Sequence, residues 1–307
     1  MAKVFLDYDQ KALDDAYDQA VYAPNRDQIL ARLASTSALV RQRIGEPERF
    51  AYGSAEIEKL DVYRTKSSSA PINLFIHGGA WRTGSARTYG YPAEVFVNAG
   101  VHYVALDFDN VLDTGGDLLP MAEQVRRGIA WVFKNAKLFG GDASRLYVSG
   151  TSSGAHLGGV AATTDWTKYG LPANPVRGYA LCSGMYDLRG PRLSKRSSYV
   201  KFTDEAEEKL SPQRHIANVN APIVLLFGSL ETPEFQRQSR EFADALTRAG
   251  KSAELICAEG YNHFEIAETL GNPYGPMGRA VLALMKSAKS GSEPNSHSGS
   301  EDRELGP

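Results

Sequence analysis

The 307-residue sequence has only two cysteines, Cys182 and Cys257, and each lies in an apolar run typical of a β-strand. A disulfide framework is therefore not expected, and a reduced, cytoplasmic protein is the simplest interpretation. The sequence also lacks an apolar run long enough to span a bilayer, and its acidic beginning lacks the hydrophobic region of a secretory signal. The formal net charge is -2, so no basic excess favours nucleic acid.

Metal-binding patterns are equally scarce. The sequence contains no CxxC pair and no His/Cys cluster at ligand spacing, so it predicts no metal site. Together these absences argue against a nucleic acid or a membrane as the partner, and they leave a homodimer open.

What is present is an alternation of apolar strand-like runs and amphipathic helical stretches from about residue 56 onward. This pattern predicts an α/β domain with a doubly wound, mostly parallel sheet over residues 51–288. Residues 1–50 are expected to form one or two polar helices, which either pack on the domain or cover a site as a lid. Residues 289–307 are poor in apolar side chains and are expected to be a disordered tail. The strand candidates are IEKLDVYR, INLFIH, VHYVALDF, RLYVSG, VRGYALCSG, PIVLLFG and AELICAEG.

The stretch LYVSGTSSGAHLGGV, residues 146–160, places two serines in a tight turn between a predicted strand and a predicted helix. A serine in such a turn has a strained backbone, and the residues two before and two after it have no room for a Cβ. Ser152 meets this requirement because Gly150 and Gly154 flank it. Ser153 does not, because both corresponding residues carry a Cβ. Ser152 is therefore the predicted nucleophile.

Two glycines follow the predicted strand INLFI, within HGGAW at residues 77–81. Glycines at a strand end let the backbone turn its N–H groups into a pocket. The N–H groups of Gly78 and Gly79 are therefore predicted to form an oxyanion hole together with that of Ser153. His77 is expected to brace this loop through a hydrogen bond. A simple Gly-Gly turn is the alternative interpretation.

A histidine and an acid follow two later strands. His263, in YNHF beyond the last predicted strand, is placed to act as general base toward Ser152. Glu231 follows PIVLLFG, and its carboxylate is predicted to orient His263 through the Nδ1–H group. Two other acids remain open as alternatives: Glu234, which is expected to begin the next helix, and Asp187, which follows the preceding strand.

In this order, the motifs HGGAW, FGGD, GTSSGAHL, SGMYDL, a strand-end acid and YNHF resemble those of the α/β-hydrolase superfamily. More narrowly, residues 50–285 resemble the esterase and arylformamidase branch that includes kynurenine formamidase. The resemblance implies the α/β-hydrolase fold, a Ser-acid-His triad and the HGG loop as oxyanion hole. The chain departs from that pattern at Thr151, where histidine is frequent in relatives, and at Glu231, where aspartate is commoner.

The expected chemistry is acyl transfer to water through an acyl-enzyme, with no cofactor. The resemblance implies a small, aromatic amide or ester as substrate. A broad-specificity carboxylesterase is the main alternative, because one triad serves both bonds, and a non-catalytic small-molecule receptor on the same fold is a further one. The side chains near strand ends that are expected to line the pocket are Trp81, Asn110, Met185, Tyr186 and Tyr261.

Overall fold

A computed structural model of the chain describes residues 2–287, and its centre is one eight-stranded sheet. The strands are β1 (Glu48–Ala51), β2 (Lys59–Tyr63), β3 (Ala70–Ile76), β4 (His102–Leu106), β5 (Gly141–Thr151), β6 (Tyr179–Cys182), β7 (Ile223–Gly228) and β8 (Ala253–Ala258). Their order across the sheet is β1-β2-β4-β3-β5-β6-β7-β8. The β1–β2 and β2–β4 pairs are antiparallel, and β4, β3, β5, β6, β7 and β8 run parallel.

Helices cover both faces of this sheet, so the predicted doubly wound, mostly parallel architecture is confirmed. Three helices precede β2 where one or two were expected. The helices are α1 (Gln10–Ala16), α2 (Gln19–Tyr22), α3 (Arg26–Ile44), α4 (Ala93–Asn98), α5 (Leu119–Asn135), α6 (Ser153–Ala162), α7 (Arg189–Leu193), α8 (Asp204–Lys209), α9 (Pro233–Arg248), α10 (His263–Glu268) and α11 (Pro276–Ser287).

The seven strand candidates correspond to β2 through β8, and β1 was missed. This edge strand has the sequence ERFA and is mostly exposed, so it lacks the apolar run by which the other strands were predicted. Antiparallel pairing with β2, in which Glu48 faces Val62, holds it in the sheet. The sheet therefore begins inside the segment 1–50 that was predicted to be helical.

The strand β3 illustrates how the sheet separates two cores. Ile72, Leu74 and Ile76 pack on the face covered by α5, α6 and α9, whereas Phe75 packs on the face covered by α3, α4, α10 and α11. A strand that is covered on both faces is apolar almost throughout, which explains why INLFI lacks a polar alternation. Burial of this apolar area, at about 25 cal/mol per Å², is the main term that stabilises the fold.

The carboxyl ends of the parallel strands all meet at one edge of the sheet, where ligands bind in folds of this kind. The residues that follow these ends are His77 after β3, Ser152 after β5, Ser183 after β6, Glu231 after β7 and His263 after β8. The topology therefore collects the predicted site residues at a single edge.

The two cysteines are free thiols: Cys182 is buried in β6 and Cys257 is exposed in β8. Within residues 2–287, no helix has both the length and the apolar character needed to cross a bilayer. The predicted tail, residues 289–307, lies outside the described residues.

Candidate active site

Ser152 occupies the turn between β5 and α6. Its backbone has φ 56° and ψ -123°, a combination that residues other than glycine rarely adopt. A Cβ on Gly150 would lie 2.6 Å from the carbonyl oxygen of Gly154, and a Cβ on Gly154 would lie 2.1 Å from that of Ile76. Ser152 lines a cavity, whereas Ser153 is the buried first residue of α6. The turn has the strained strand-to-helix geometry of a nucleophile elbow.

The glycine loop after β3 lies directly beside this turn. A Cβ on Gly78 would lie 2.8 Å from the Thr151 carbonyl oxygen and 3.1 Å from the Cβ of Ser152, so this close approach requires glycine. Within the described part of the chain, the N–H groups of Gly78, Gly79 and Ser153 donate to no acceptor. These three N–H groups are therefore free to donate hydrogen bonds to a negative charge that develops beside Ser152.

Backbone strain and a buried histidine shape the same loop. Residues 79–81 have φ values of 121°, 56° and 61°, three successive left-handed conformations that turn the chain sharply. The Nδ1–H group of His77 donates to the Gly78 carbonyl oxygen at 2.9 Å, which confirms the predicted brace. Its ring stacks on Phe108 at 4.3 Å and on Tyr89 at 5.5 Å between centroids. Burial lowers the pKa of His77, so the ring is neutral at pH 7.

Trp81 connects the glycine loop to the helix that follows Ser152. Its Nε1–H group donates to Nδ1 of His156 at 3.1 Å, and Nε2 of His156 lies 2.8 Å from the Leu210 carbonyl oxygen. Burial lowers the pKa of His156 to about 4. The ring is therefore neutral at pH 7, with its proton on Nε2, where it can donate to Leu210.

Glu231 and His263 form a buried hydrogen-bonded pair, in which Oε2 lies 2.8 Å from Nδ1. The other carboxylate oxygen, Oε1, accepts from the Ser183 hydroxyl at 2.5 Å and from the Gly228 N–H at 2.8 Å. Oε2 also accepts from Nε2 of Gln19 at 3.2 Å. Because Nδ1 of His263 faces the carboxylate, Nε2 is the nitrogen that remains for a nucleophile.

The two alternative acids are engaged elsewhere. Glu234 is fully buried near the start of α9, where it pairs with Arg237 at 2.6 Å and accepts from the Tyr17 hydroxyl at 2.7 Å. Asp187 lies 3.5 Å from Arg214 and caps neighbouring backbone. In this structure neither carboxylate contacts a histidine, so both differ from Glu231 in the feature that orients a general base.

His263 is the first residue of α10, rather than a loop residue as expected. The Asn262 side chain accepts from the N–H groups of Phe264 and Glu265, and the Glu265 carboxylate accepts from the Asn262 N–H. This capping box fixes where the helix begins and hence the direction of His263. Ser152 and His263 line the same cavity, and no hydrogen bond joins their side chains in this structure. Such bonds often tighten only when substrate binds.

The cavity above these residues has a volume of about 490 Å³, within the range that suits a small-molecule ligand. The five side chains predicted to line it lie elsewhere, so that prediction was wrong. Proximity to a strand end does not fix the direction of a side chain, and packing helices draw apolar groups into the core. Trp81, Met185 and Tyr186 are buried in the core. The Asn110 side chain accepts from the Leu112 N–H within its own turn. Tyr261 packs against the core on the face covered by α3, α4, α10 and α11.

The N-terminal helices supply one wall of the cavity, through Tyr17, Gln19, Leu30 and Leu33. None of these four residues was predicted to have a role. Gln19 and Glu231 are 212 positions apart, and a polar helix carries no local signal that would reveal such a contact. Ser183 was missed for a related reason, because its hydroxyl meets Glu231 only once β6 and β7 lie side by side.

The charged side chains of the cavity lining are mainly cationic. Asp18 is the one carboxylate among the lining residues, and it forms an ion pair with Lys195. The cationic lining residues are Arg26, Arg82, Lys195 and Arg196.

Among residues 2–287, no group of three or more His, Cys, Asp and Glu side chains is arranged to hold a metal ion.

Comparison with known proteins agrees with this architecture. The family model BD-FAE matches residues 60–174. The chain is 34% identical over 226 residues to the kynurenine formamidase of Danio rerio, and the alignment covers 71% of this chain and 75% of that protein. It is also 34% identical over 246 residues to the kynurenine formamidase of Salmo salar, with 76% of this chain and 80% of that protein covered.

Among solved structures, the chain is similar to EstE1, a thermostable carboxylesterase cloned from a metagenomic library. The TM-score is 0.67 at 19% sequence identity, and the alignment covers 88% of this chain and 98% of that chain. At this level of identity the likeness concerns the fold.

Proposed function

The chain belongs to the kynurenine formamidase family of α/β-hydrolases and is a hydrolase of the ester or amide type, and from this premise we propose that it cleaves a small aryl formamide through a triad of Ser152, His263 and Glu231. The observation that carries the proposal is the 2.8 Å hydrogen bond between His263 Nδ1 and Glu231 Oε2, beside the cavity that Ser152 lines. A non-catalytic receptor is set aside because the relatives named above are enzymes.

In the proposed reaction, Nε2 of His263 takes the hydroxyl proton of Ser152 while Oγ forms a bond to the carbonyl carbon. The N–H groups of Gly78, Gly79 and Ser153 stabilise the resulting oxyanion. When the oxyanion collapses, the C–N bond breaks and the imidazolium gives its proton to the departing amine. Water then attacks the acyl carbon while the same imidazole takes its proton. The bond between that carbon and Ser152 Oγ breaks, the imidazolium returns the proton to Oγ, and the carboxylic acid leaves. The carboxylate beside the imidazole stabilises its charged form throughout.

The proposed substrate is an aromatic amine with a formyl or other short acyl group. Family membership supports this choice, and so does a cavity of about 490 Å³ whose lining includes Tyr17, Tyr199 and Phe264. We also propose that the helices α1, α2 and α3 act as a cover of the site, since their side chains form one of its walls.

A hydrolysis screen tests the proposal directly. We expect kcat/KM for aryl formamides to exceed that for aryl esters of the same size by tenfold or more, on the order of 1.4 kcal/mol of transition-state stabilisation. A fluorophosphonate should label the protein once, and prior labelling should abolish turnover. A clear preference for long-chain aliphatic esters would contradict the substrate proposal.

A broad-specificity carboxylesterase is the second candidate, and Thr151 is the observation that favours it. Thr151 stands where the family resemblance implies histidine, and its Oγ1 atom lies near the glycine loop, 3.3 Å from where a Cβ on Gly78 would stand. In the same screen this candidate predicts equal or higher kcat/KM for the short-chain aryl esters.

A further inference from the structure

Gln19 belongs to α2, far from the sheet in sequence, yet its side chain reaches the acid of the proposed triad. Its Nε2 group donates to Glu231 Oε2 at 3.2 Å, and this oxygen is the one that contacts His263 Nδ1 at 2.8 Å. Gln19 is itself 5% exposed. We propose that Gln19 is a positioning residue, which holds the Glu231 carboxylate against His263 and makes α2 part of the catalytic machinery. This inference rests on the triad proposed above.

The orientation of the Gln19 amide is set at both ends. While Nε2 donates to the Glu231 carboxylate, Oε1 accepts from the backbone N–H of Thr232 at 3.5 Å. A flipped amide would place an oxygen against the carboxylate and an N–H2 group against an N–H donor, so both contacts would become repulsive. Gln19 therefore meets the acid as a donor.

The donor from Gln19 completes the surroundings of the carboxylate. Oε1 of Glu231 already has two partners, the Ser183 hydroxyl and the Gly228 N–H. Without Gln19, Oε2 would have His263 as its one partner, whereas Oε1 would keep two. A donor on each remaining lone pair restricts rotation of the carboxylate and keeps the imidazole in the tautomer that catalysis needs.

A second contact from the same segment reaches the helix that carries the base. Nδ2 of Asn25 donates to the Glu265 carboxylate at 2.6 Å, and its Oδ1 accepts from Nδ2 of Asn262 at 2.8 Å. Asn262 and Glu265 are the capping box that fixes the start of α10 at His263. Residues 19–25 therefore contact the acid through one side chain and the base-bearing helix through another.

The segment is anchored firmly enough to position another group. Nη2 of the buried Arg196 donates to the Tyr17 carbonyl oxygen at 2.8 Å, and the Tyr17 hydroxyl contacts Glu234 at 2.7 Å. The Asp18 side chain caps α2 by accepting from the Ala20 N–H. Hydrogen bonds to Tyr17 and Ala20 therefore fix the backbone before and after Gln19, as a positioning residue requires.

The first test removes the donor. Gln19→Leu should lower kcat for the best aryl formamide or ester substrate by about ten- to a hundredfold, the usual effect of losing a partner that orients a reacting group. KM and the melting temperature should change little. The matched control is Gln10→Leu: this exposed glutamine of α1 donates to the Leu193 carbonyl oxygen, so it also joins the segment to the domain but does not reach Glu231. The control should keep wild-type kcat.

The second test preserves the shape and makes the donor depend on pH. In Gln19→Glu the introduced carboxyl can donate to Glu231 while it is protonated, but once ionised it repels that carboxylate. We expect the ratio of kcat of this variant to that of the wild-type protein to fall as pH rises, because the introduced carboxyl ionises. A residue with a merely structural role would lower stability without making this ratio depend on pH. Gln10→Glu should follow the wild-type profile.

The outcomes separate this inference from the proposed triad. Folded Gln19→Leu and Gln19→Glu variants that match their Gln10 controls, beside an inactive Glu231→Gln variant, would overturn the role of Gln19 and leave the triad intact. Full activity in a folded Glu231→Gln variant would instead overturn the triad, and the inference with it. If Gln19→Leu does not fold, the pH profile of Gln19→Glu decides.

Discussion

The two sides of the cavity are built by different means. On the side of the proposed nucleophile, which we call the nucleophile side, the backbone sets the shape. Ser152 has a positive φ, residues 79–81 do too, and a Cβ on Gly78 or Gly154 would clash with backbone atoms. On the acid–base side the shaping is done by side chains. The Glu231 carboxylate receives four hydrogen bonds, and a capping box sets the direction of the helix that begins with His263.

This difference determines what each side tolerates. A steric constraint is local and does not depend on charge. On the nucleophile side, a substitution that adds an atom should therefore destabilise the fold, whereas the loss of a hydroxyl other than that of Ser152 should have little effect. A hydrogen-bonded carboxylate depends on charge and on donors from several elements, so the acid–base side should accept changes of shape poorly and a loss of charge worse. Substitutions matched in size can test each half of this comparison.

The largest effect is expected where the two sides meet, at the hydroxyl of Ser152, the proposed nucleophile. Ser152→Ala should lower kcat by about 10⁶-fold and abolish fluorophosphonate labelling, because of residues 151–153 only Ser152 has the strained, positive-φ conformation of the turn. Ser153→Ala should keep activity within a few-fold, since this variant retains the backbone N–H that we propose as part of the oxyanion hole. Labelling and steady-state kinetics of both variants check this, and labelling that survives in Ser152→Ala and disappears in Ser153→Ala would reverse the assignment.

The second effect tests the charge of the acid–base side. Glu231→Gln keeps the shape of the side chain but removes the charge that stabilises the imidazolium, so kcat should fall by about 10³–10⁴-fold. Asp187→Asn is the control, because that carboxylate is partly exposed and contacts Arg214 rather than a histidine. Thermal melting should show that both variants fold. A collapse of kcat in folded Asp187→Asn, with near-normal turnover in Glu231→Gln, would move the acid to the preceding strand.

The third effect tests the steric constraint of the nucleophile side. In Gly154→Ala the new Cβ would lie 2.1 Å from the Ile76 carbonyl oxygen, and neither backbone can move freely, so the free energy of unfolding should fall by about 3 kcal/mol or more. Gly250→Ala is the control: its φ is +69° but nothing lies within 4 Å, so backbone strain alone should cost about 1 kcal/mol. Urea unfolding measures both values, and equal losses would show that the close approach is not limiting.

The same comparison explains what could be predicted from the sequence. The elbow and the glycine loop were predictable because their requirements concern residues within two positions of one another, as Gly150 and Gly154 are to Ser152. The sheet was predictable because strands covered on both faces are apolar runs. Those signals are local, so no knowledge of the tertiary structure was needed to find them.

Contacts across the fold were beyond that kind of reasoning. Two of the donors to Glu231 come from α2 and from the end of β6, and neither Gln19 nor Ser183 differs in its local sequence from an ordinary polar residue. The pocket prediction failed for the same reason, since Trp81 and Tyr186 follow strand ends but turn into the core. Which face a side chain takes after a strand depends on the helix packed there.

The smallest effect concerns a side-chain link within the nucleophile side, the pair Trp81 and His156. Burial holds the pKa of His156 at about 4, whereas the ring in an unfolded chain has a pKa of about 6.5. Between these values the unfolded chain binds a proton that the folded chain does not, so the free energy of unfolding falls as pH drops through this window, by about 3 kcal/mol at most.

The variant His156→Gln tests this. Its side chain can still accept from Trp81 and donate to Leu210, but it does not titrate. We expect the difference in unfolding free energy between pH 7.5 and pH 4.5, measured with urea, to shrink by about 2 kcal/mol in this variant. His77, whose pKa burial also lowers, should leave a residual slope of the same sign. An unchanged difference would mean that His156 is protonated in the folded protein well above pH 4, and that its link to Trp81 does not depend on a neutral ring.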